Sequence, residues 1–280
     1  MRVLAVGAGG VGTSAALIAA RRDFFELWVV SDYDGERAAA VVDRLGDPRF
    51  VAAEIDASSA EAVADLCREH AITHVLNVVD PRYVMSIFEG AFRAGADYLD
   101  TAMSLSRPHP DHPYAQVGVK LGDEQFARSD EWAQHGRLAL CGMGVEPGLA
   151  DVFARYAADH LFSEIDEIGI RDGANLVVAG YDFAPSFSIW TTIEECLNPP
   201  IVWEKERGYF TLPPFSEPER FIFPEGIGPV ECVQVEHEEV TLIPRVLDAR
   251  RVTFKYALGE EFINALKVLH TIGLDRNDPI

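Results

Sequence analysis

Val3-Leu-Ala-Val-Gly-Ala-Gly-Gly-Val-Gly12 stands at the start of the chain, and its reading decides the fold. Four apolar residues run into a glycine turn, and Val11–Arg22 continues with helix-forming composition. Gly7, Gly9 and Gly12 spell G-x-G-x-x-G. Alone that pattern is weak; between a buried strand and a helix it reads as a cradle for the diphosphate of a dinucleotide. Gly7 permits the tight turn, Gly9 lets the backbone approach the diphosphate, and Gly12 lets helix and strand pack closely. Gly10 and Val11 open the helix, whose N-terminal amides and positive dipole end suit an anion.

Outward from this turn, strand and helix alternate. Strands are expected at Leu27–Ser31, Phe50–Glu54, Thr73–Val79 and Asp97–Leu99, with helices at Glu36–Leu45, Ser59–Glu69 and Tyr83–Ala94. This rhythm predicts the α/β class: a Rossmann, doubly wound parallel sheet. Ser106-Arg-Pro-His-Pro-Asp-His-Pro113 can be neither helix nor strand interior and reads as a loop, a lid or a linker. Residues 122–135 look helical and Arg137–Cys141 looks like another buried strand. The dinucleotide-binding domain is placed at residues 1–125. Residues 126–280 are read as a second, α+β domain of mixed sheet for substrate binding and dimerisation. In it, helices are expected at Leu149–His160 and Gly259–Thr271, strands at Glu164–Arg171, Val230–Val235 and Arg251–Tyr256, and a long ordered loop from Pro213 to Pro229.

The strand ends nominate the cofactor residues. Asp32 closes the second strand roughly 20 residues beyond the glycine turn, where an acidic side chain binds the adenosine ribose hydroxyls. A carboxylate there repels a 2′-phosphate, so the cofactor is read as NAD; Arg37 could swing toward such a phosphate and leaves NADP open. Asp56 ends the third strand and either faces the adenine amino group or caps the strand end. Asn77-Val-Val-Asp-Pro81 ends the fourth strand at the carboxyl edge of the sheet, where ligands of open α/β sheets bind, so Asn77 and Pro81 are placed near the ribose and nicotinamide. Asp80 either favours the oxidised ring or is a solvated turn residue.

The chain has 280 residues and a formal net charge of −21, which argues against nucleic acid or an anionic membrane surface as partner. Cys67, Cys141, Cys196 and Cys232 are widely spaced with no CxxC pair, which fits reduced thiols in the cytoplasm and no metal site. No run is long enough to span a bilayer.

Five segments carry a resemblance to the saccharopine dehydrogenase-like family: Val6-Gly-Ala-Gly-Gly-Val-Gly12, Ala94-Gly-Ala-Asp-Tyr-Leu-Asp-Thr-Ala102, Gly142-Met-Gly-Val-Glu-Pro-Gly148, Phe223-Pro-Glu-Gly-Ile-Gly-Pro229 and His237-Glu-Glu239. The tracts Gly142–Ala158 and Glu164–Arg171 and the close Leu269–Ile280 add to it. The resemblance implies NAD(P)-dependent redox chemistry at a C–N bond of an amino-acid-like small molecule, in a homodimer whose second domain dimerises and covers the nicotinamide. It also implies a further C-terminal segment, which this chain is expected to lack. That expectation, with Asp80 in place of a small or apolar residue, supports an alternative: a catalytically degenerate NAD(H)-binding protein.

Reduction of an imine, or its reverse, needs a held nicotinamide, a clamp for a carboxylate, and a proton donor or acceptor near neutrality. Asp100 and Thr101 end a strand at the carboxyl edge, beside the nicotinamide by the resemblance; Asp100 is read as a polar positioning group or a strand-end cap. Glu146-Pro147-Gly148 reads as a helix start, with Glu146 facing the cleft or simply serving the helix dipole. His237, flanked by Glu238 and Glu239, is the best titrating candidate, with a pKa held near neutrality, against a plain surface histidine. Arg171 could clamp a carboxylate or pair structurally. Lys120 is a possible carboxylate contact. Tyr181, Trp190 and Trp203 are taken as core or interface aromatics.

Overall fold

The computed structural model describes residues 1–173, 178–181 and 188–273. The chain forms two compact units, residues 1–105 with 121–148 and residues 106–120 with 149–280. The sequence reading cuts the chain once, after residue 125; the units divide instead at 105, 120 and 148. Residues 106–120 belong to the second unit because their backbone pairs Arg107 with Val119 and Val117 packs into the second unit's core.

In the first unit, β1 (Arg2–Val6), α1 (Gly10–Ala19), β2 (Leu27–Asp32), α2 (Gly35–Leu45), β3 (Phe50–Glu54), α3 (Ala60–Glu69), β4 (His74–Asn77), α4 (Val84–Ala94) and β5 (Asp97–Asp100) alternate as expected. Two short helices, α5 (Asp123–Phe126) and α6 (Ser129–Gln134), precede β6 (Ala139–Leu140). The six strands are parallel in the order β3-β2-β1-β4-β5-β6. Strand order therefore reverses between β1 and β4, above the glycine turn, which is where ligands bind in such sheets. Alternate residues of β1 serve opposite layers. Val3 and Ala5 pack with Ala16 and Val41 of α1 and α2; Leu4 and Val6 pack with Val63 and Ile87 of α3 and α4. Each buried valine, leucine or isoleucine among them stabilises by roughly 1.5–3 kcal/mol on burial. The expected buried strand at Arg137–Cys141 shrinks to two residues, with Leu138 and Leu140 exposed. Its apolar run suggests a core strand, but among the described residues β6 pairs only with β5.

The second unit contains α7 (Leu149–His160), β7 (Ile165–Gly173), α8 (Ile189–Leu197), β8 (Ile201–Glu204), β9 (Gly208–Thr211), β10 (Glu219–Phe223), β11 (Gly228–Gln234), α9 (Glu239–Leu242), β12 (Ala249–Ala257) and α10 (Glu260–Thr271). β12 is the spine of a mixed sheet. It runs parallel to β7 over its whole length, so β8 and β11 share its other edge, antiparallel, at Arg251–Val252 and Lys255–Tyr256. Buried Phe254, Val252, Val233, Val235, Val240 and Ile243 form the core beneath it. The expected loop from Pro213 to Pro229 contains β10 and the start of β11, joined as a hairpin. Its turn is made by Glu225, Gly226 and Gly228 at positive φ, a conformation that proline-rich composition does not announce. Of the three aromatics singled out, Trp203 packs on the core and against Tyr209, whereas Tyr181 and Trp190 are exposed. The closing stretch Leu269–Ile280 runs past residue 273, and its remainder lies outside the described residues. Among the described residues no helix is long and apolar enough to cross a membrane.

Candidate functional site

The glycine turn has the backbone its sequence requires. Gly7 has φ +111°, and a Cβ at Gly12 would sit 1.8 Å from the Gly7 carbonyl oxygen, so close packing of β1 and α1 forbids any side chain there. At Gly9 and Gly10 an added Cβ would meet nothing within 4 Å. These two glycines border open space instead of packing. The helix ends differ in the same sense. α2 is capped by Asp34 and α3 by Ser59, yet α1 has no side-chain cap and no acidic residue in its first turn. Its first amides are left for a ligand, as a diphosphate requires.

Asp32 is buried at the end of β2. One oxygen accepts the Ala8 N–H at 2.8 Å; the other faces the Asp34 N–H and the Arg37 guanidinium, 3.3 Å away. Arg37 is half exposed and lies over the Tyr33 ring. Asp56 is exposed and caps its own turn through the Ser58 N–H and hydroxyl, which hold its carboxyl below the usual range. Asn77 is buried; its amide donates to the Tyr98 hydroxyl and its oxygen accepts the Val79 N–H, so it shapes the turn after β4. Pro81 begins a single 3-10 turn capped by Asp80, whose carboxylate also pairs with Arg82 at 2.9 Å. Burial raises Asp80, and Arg82 outweighs burial and holds it below its ordinary value. Its charge is matched within its own turn.

Asp100 is completely buried at the end of β5. It accepts the Gly142 N–H at 2.7 Å and the Gln125 amide at 2.7 Å, while its own carbonyl accepts Met143 N–H. Thr101 follows it, and the Thr101 carbonyl lies 3.8 Å from where a Gly144 Cβ would stand. Asp100 thus pins the 142–148 loop to the sheet. Glu146 precedes a cis peptide to Pro147, and Gly148 at φ +125° folds back onto Gly144. The helix spans Leu149–His160 as expected, and Glu146-Pro147-Gly148, read as its start, lies just before it in a loop that closes on itself, Gly144 N–H bonding the Pro147 carbonyl.

In the second unit, His237 is 2% exposed. Its ring stacks on Phe254 at 3.7 Å and 4°, its Nδ1 pairs with Glu239, and its Nε2 meets the Tyr256 hydroxyl at 3.2 Å. Tyr256 in turn donates to Glu195 at 2.9 Å. Burial lowers the imidazolium, but Glu239, then Glu238 and Glu195, outweigh burial and raise it to about 10. The expectation of titration near neutrality is therefore corrected: His237 is a fixed buried cation. Burial pushes Glu195 up to about 8. Arg171 is also committed. Its guanidinium pairs with both oxygens of Glu219, a carboxylate shared with Lys255 and held down to about 2 by Arg171 first. The clamp proposed for a substrate carboxylate is filled by the protein itself. Lys120 lies over the Tyr209 ring at 5.3 Å.

Sequence reasoning missed Glu236. It is 3% exposed, its Oε2 accepts the Ser106 hydroxyl at 2.8 Å and the Asn198 amide at 2.9 Å, and it lines a pocket. Burial raises its carboxyl to about 7. The available signal is a glutamate placed inside the apolar run before His237.

Residues 3–140 match the family described as saccharopine dehydrogenase NADP binding domain, and residues 144–280 match saccharopine dehydrogenase C-terminal domain. A carboxyaminopropylagmatine dehydrogenase from Synechocystis sp. is 30% identical over 285 residues, covering all of this chain and 68% of the relative. The chain belongs to the saccharopine dehydrogenase family. A second family relative, carboxynorspermidine synthase from Vibrio alginolyticus, is 28% identical over 289 residues, again with 100% and 68% covered. The fold is shared with saccharopine dehydrogenase (L-Glu forming) from Saccharomyces cerevisiae, at 15% identity and a TM-score of 0.68, over 99% of this chain and 59% of that one.

Proposed function

We propose that the chain is an oxidoreductase that uses NAD to act on the CH–NH bond, imine or secondary amine, of an amino-acid-like substrate. The uncapped glycine turn of α1, in a chain of this family, carries the reading. Two relatives are named for amine-containing compounds, which supports a substrate of that class. The dinucleotide, when bound, gives or takes the hydride. The amides of Gly9, Gly10, Val11 and Gly12 hold its diphosphate, and Asp32 takes the ribose hydroxyls, favouring NAD over its 2′-phosphorylated form. Asp56 lies at the adenine end. Asn77, Pro81 and Thr101 shape the carboxyl edge where the ring lies. Asp100 positions the 142–148 loop, with Glu146 on it, and His237 supplies a fixed positive charge in the second unit. Lys120 and Arg171 remain the cations offered to a substrate carboxylate; for Arg171 that role requires release from Glu219.

The resemblance to homodimeric enzymes is supported by α7, which buries no residue and exposes Val152, Phe153 and Tyr156; a second copy of the chain is the proposed occupant of that face. Free cysteines at all four positions support a cytoplasmic setting. The test is to mix the purified chain with NADH or NADPH and pairs of amines with aldehydes or keto acids, following nicotinamide absorbance. NADH oxidation that needs both partners of a pair is expected. Cofactor binding without turnover on any pair would refute the reading in favour of a protein that only binds NAD(H).

A further inference from the structure

Gln125 stands on the four-residue helix α5, is 3% exposed, and has both ends of its amide engaged. Its Oε1 accepts the Ser104 N–H at 2.8 Å and its Nε2 donates to Asp100 Oδ2 at 2.7 Å. A backbone N–H only donates and a carboxylate only accepts, so these partners fix which way the amide faces. Asp100 gains the same definition in return. The Gly142 N–H holds Oδ1 at 2.7 Å and Gln125 holds Oδ2, and the two bonds together set the plane of the carboxylate, a torsion that one bond leaves broad. Ser104 stands just before the chain leaves the first unit, and its carbonyl accepts the N–H of Gly122, where the chain has returned. Gln125 therefore ties the exit and return of the chain to the carboxylate that pins the 142–148 loop.

The same network reaches the glycine turn. The Tyr98 hydroxyl bonds Asp100 and accepts the Asn77 amide at 2.9 Å, and Asn77 Oδ1 accepts the Val79 N–H at 3.2 Å. Val79 and the Val78 carbonyl close over Gly7, where an added Cβ would meet them at 2.7 and 2.9 Å. All these groups lie in the first unit. To fill space alone, a methionine at 125 would serve without burying an amide.

We infer that Gln125 is a positioning residue for the proposed redox reaction, orienting Asp100 so that the 142–148 loop keeps one conformation at the carboxyl edge of the sheet. That this edge holds the nicotinamide rests on the reading above; that Gln125 governs the loop rests on the contacts themselves.

The test compares the full chain with Gln125→Met and Gln125→Glu, and with Gln134→Met, the same change at an exposed position of α6, as control. NADH affinity is read by fluorescence, the loop by amide exchange of residues 142–148 with and without NADH, and turnover of an amine–carbonyl pair by kcat and KM. Gln125→Met should bind NADH within about three-fold of the parent, exchange the loop at least about ten-fold faster, and lose kcat by a similar factor with KM nearly unchanged. Gln125→Glu keeps the acceptor for the Ser104 N–H, but it meets Asp100 only through a proton that the two carboxyls share. It should match the parent at pH 6 and Gln125→Met at pH 9. Tyr98 and Cys141, the titratable groups beside Asp100, are both raised by burial and stay neutral over that range. Gln134→Met should change none of these readouts. Unchanged loop exchange in a folded Gln125→Met, faster exchange spread evenly over the first unit, or a Gln125→Glu that behaves alike at both pH values overturns the inference. Should Gln125→Met not fold, the pH dependence of Gln125→Glu decides in its place. Absent NADH binding by the parent overturns both readings. NADH binding without turnover on any pair refutes the redox reading and leaves loop exchange to decide this one; turnover with unchanged loop exchange does the reverse.

Discussion

Replacing His237 by phenylalanine separates the two things its ring does. The stack on Phe254 at 3.7 Å survives, but the positive charge facing Glu239 is lost, and Glu239 is fully buried. The rise of His237 from its ordinary 6.5 to about 10 corresponds to on the order of 5 kcal/mol of preference for the charged ring. That agrees with the ~3–5 kcal/mol generally lost when one member of a buried ion pair is removed. The native pair stabilises fully below pH 6.5, because the folded state holds its proton more tightly than the unfolded one, and this contribution fades as pH rises through about 10. The variant therefore forfeits most below pH 6.5 and less at pH 8 and above.

Hydrogen exchange of the β12 amides reads the second unit by itself. At pH 8, His237→Phe should speed their exchange by roughly 10²–10³-fold, and adding Glu239→Gln, which removes the stranded charge, should recover most of that. Wild-type exchange rates in the single variant would refute the reasoning, as would a double variant less stable than the single one.

Two further outcomes follow from the same geometry. Gly9→Ala should fold like the parent, since its Cβ meets nothing, yet weaken NADH binding, while Gly12→Ala, forced against the Gly7 carbonyl, should lower the thermal midpoint of the first unit as well; NADH fluorescence and calorimetry separate the two. Arg37→Ala should leave NADH affinity within about three-fold and lower any affinity for NADPH by ten-fold or more, the charge facing a 2′-phosphate being gone; an equal loss for both would contradict the NAD reading.

The cofactor cradle was legible because its determinants are local. Gly7, Gly12, the uncapped start of α1 and Asp32 all lie in one βαβ unit, whose strand–turn–helix–strand order brings Asp32 to the Ala8 amide. The second unit's chemistry was not, because it is made by distant pairings. Arg171 looked available as a clamp, but its partner Glu219 arrives from another strand 48 residues on. His237 was read as a group titrating near neutrality or a plain surface histidine, and only β12, bringing Phe254 and Tyr256 across, buries it among carboxylates that favour its charged form. The hairpin within 213–229 was hidden for a different reason: its prolines suggested a loop, while the strands depend on positive-φ turn residues, Glu225 among them, whose side chain gives no hint of it.

The buried acids around His237 are not equivalent. Glu239 pairs with His237 through Oε2, while its Oε1 is buried with no hydrogen-bond partner among the described residues. Glu195 is pushed up to about 8 by burial while accepting from Tyr256. Glu236 stands apart, its Oε2 bonded by Ser106 and Asn198, which bring no charge, and burial raises it to about 7. Of the three carboxylates that favour the charged ring, Glu239 contributes most, ahead of Glu238 and Glu195. Glu239 is therefore the group left without its partner when the imidazolium is removed, and a double variant that changes Glu238 instead should recover little.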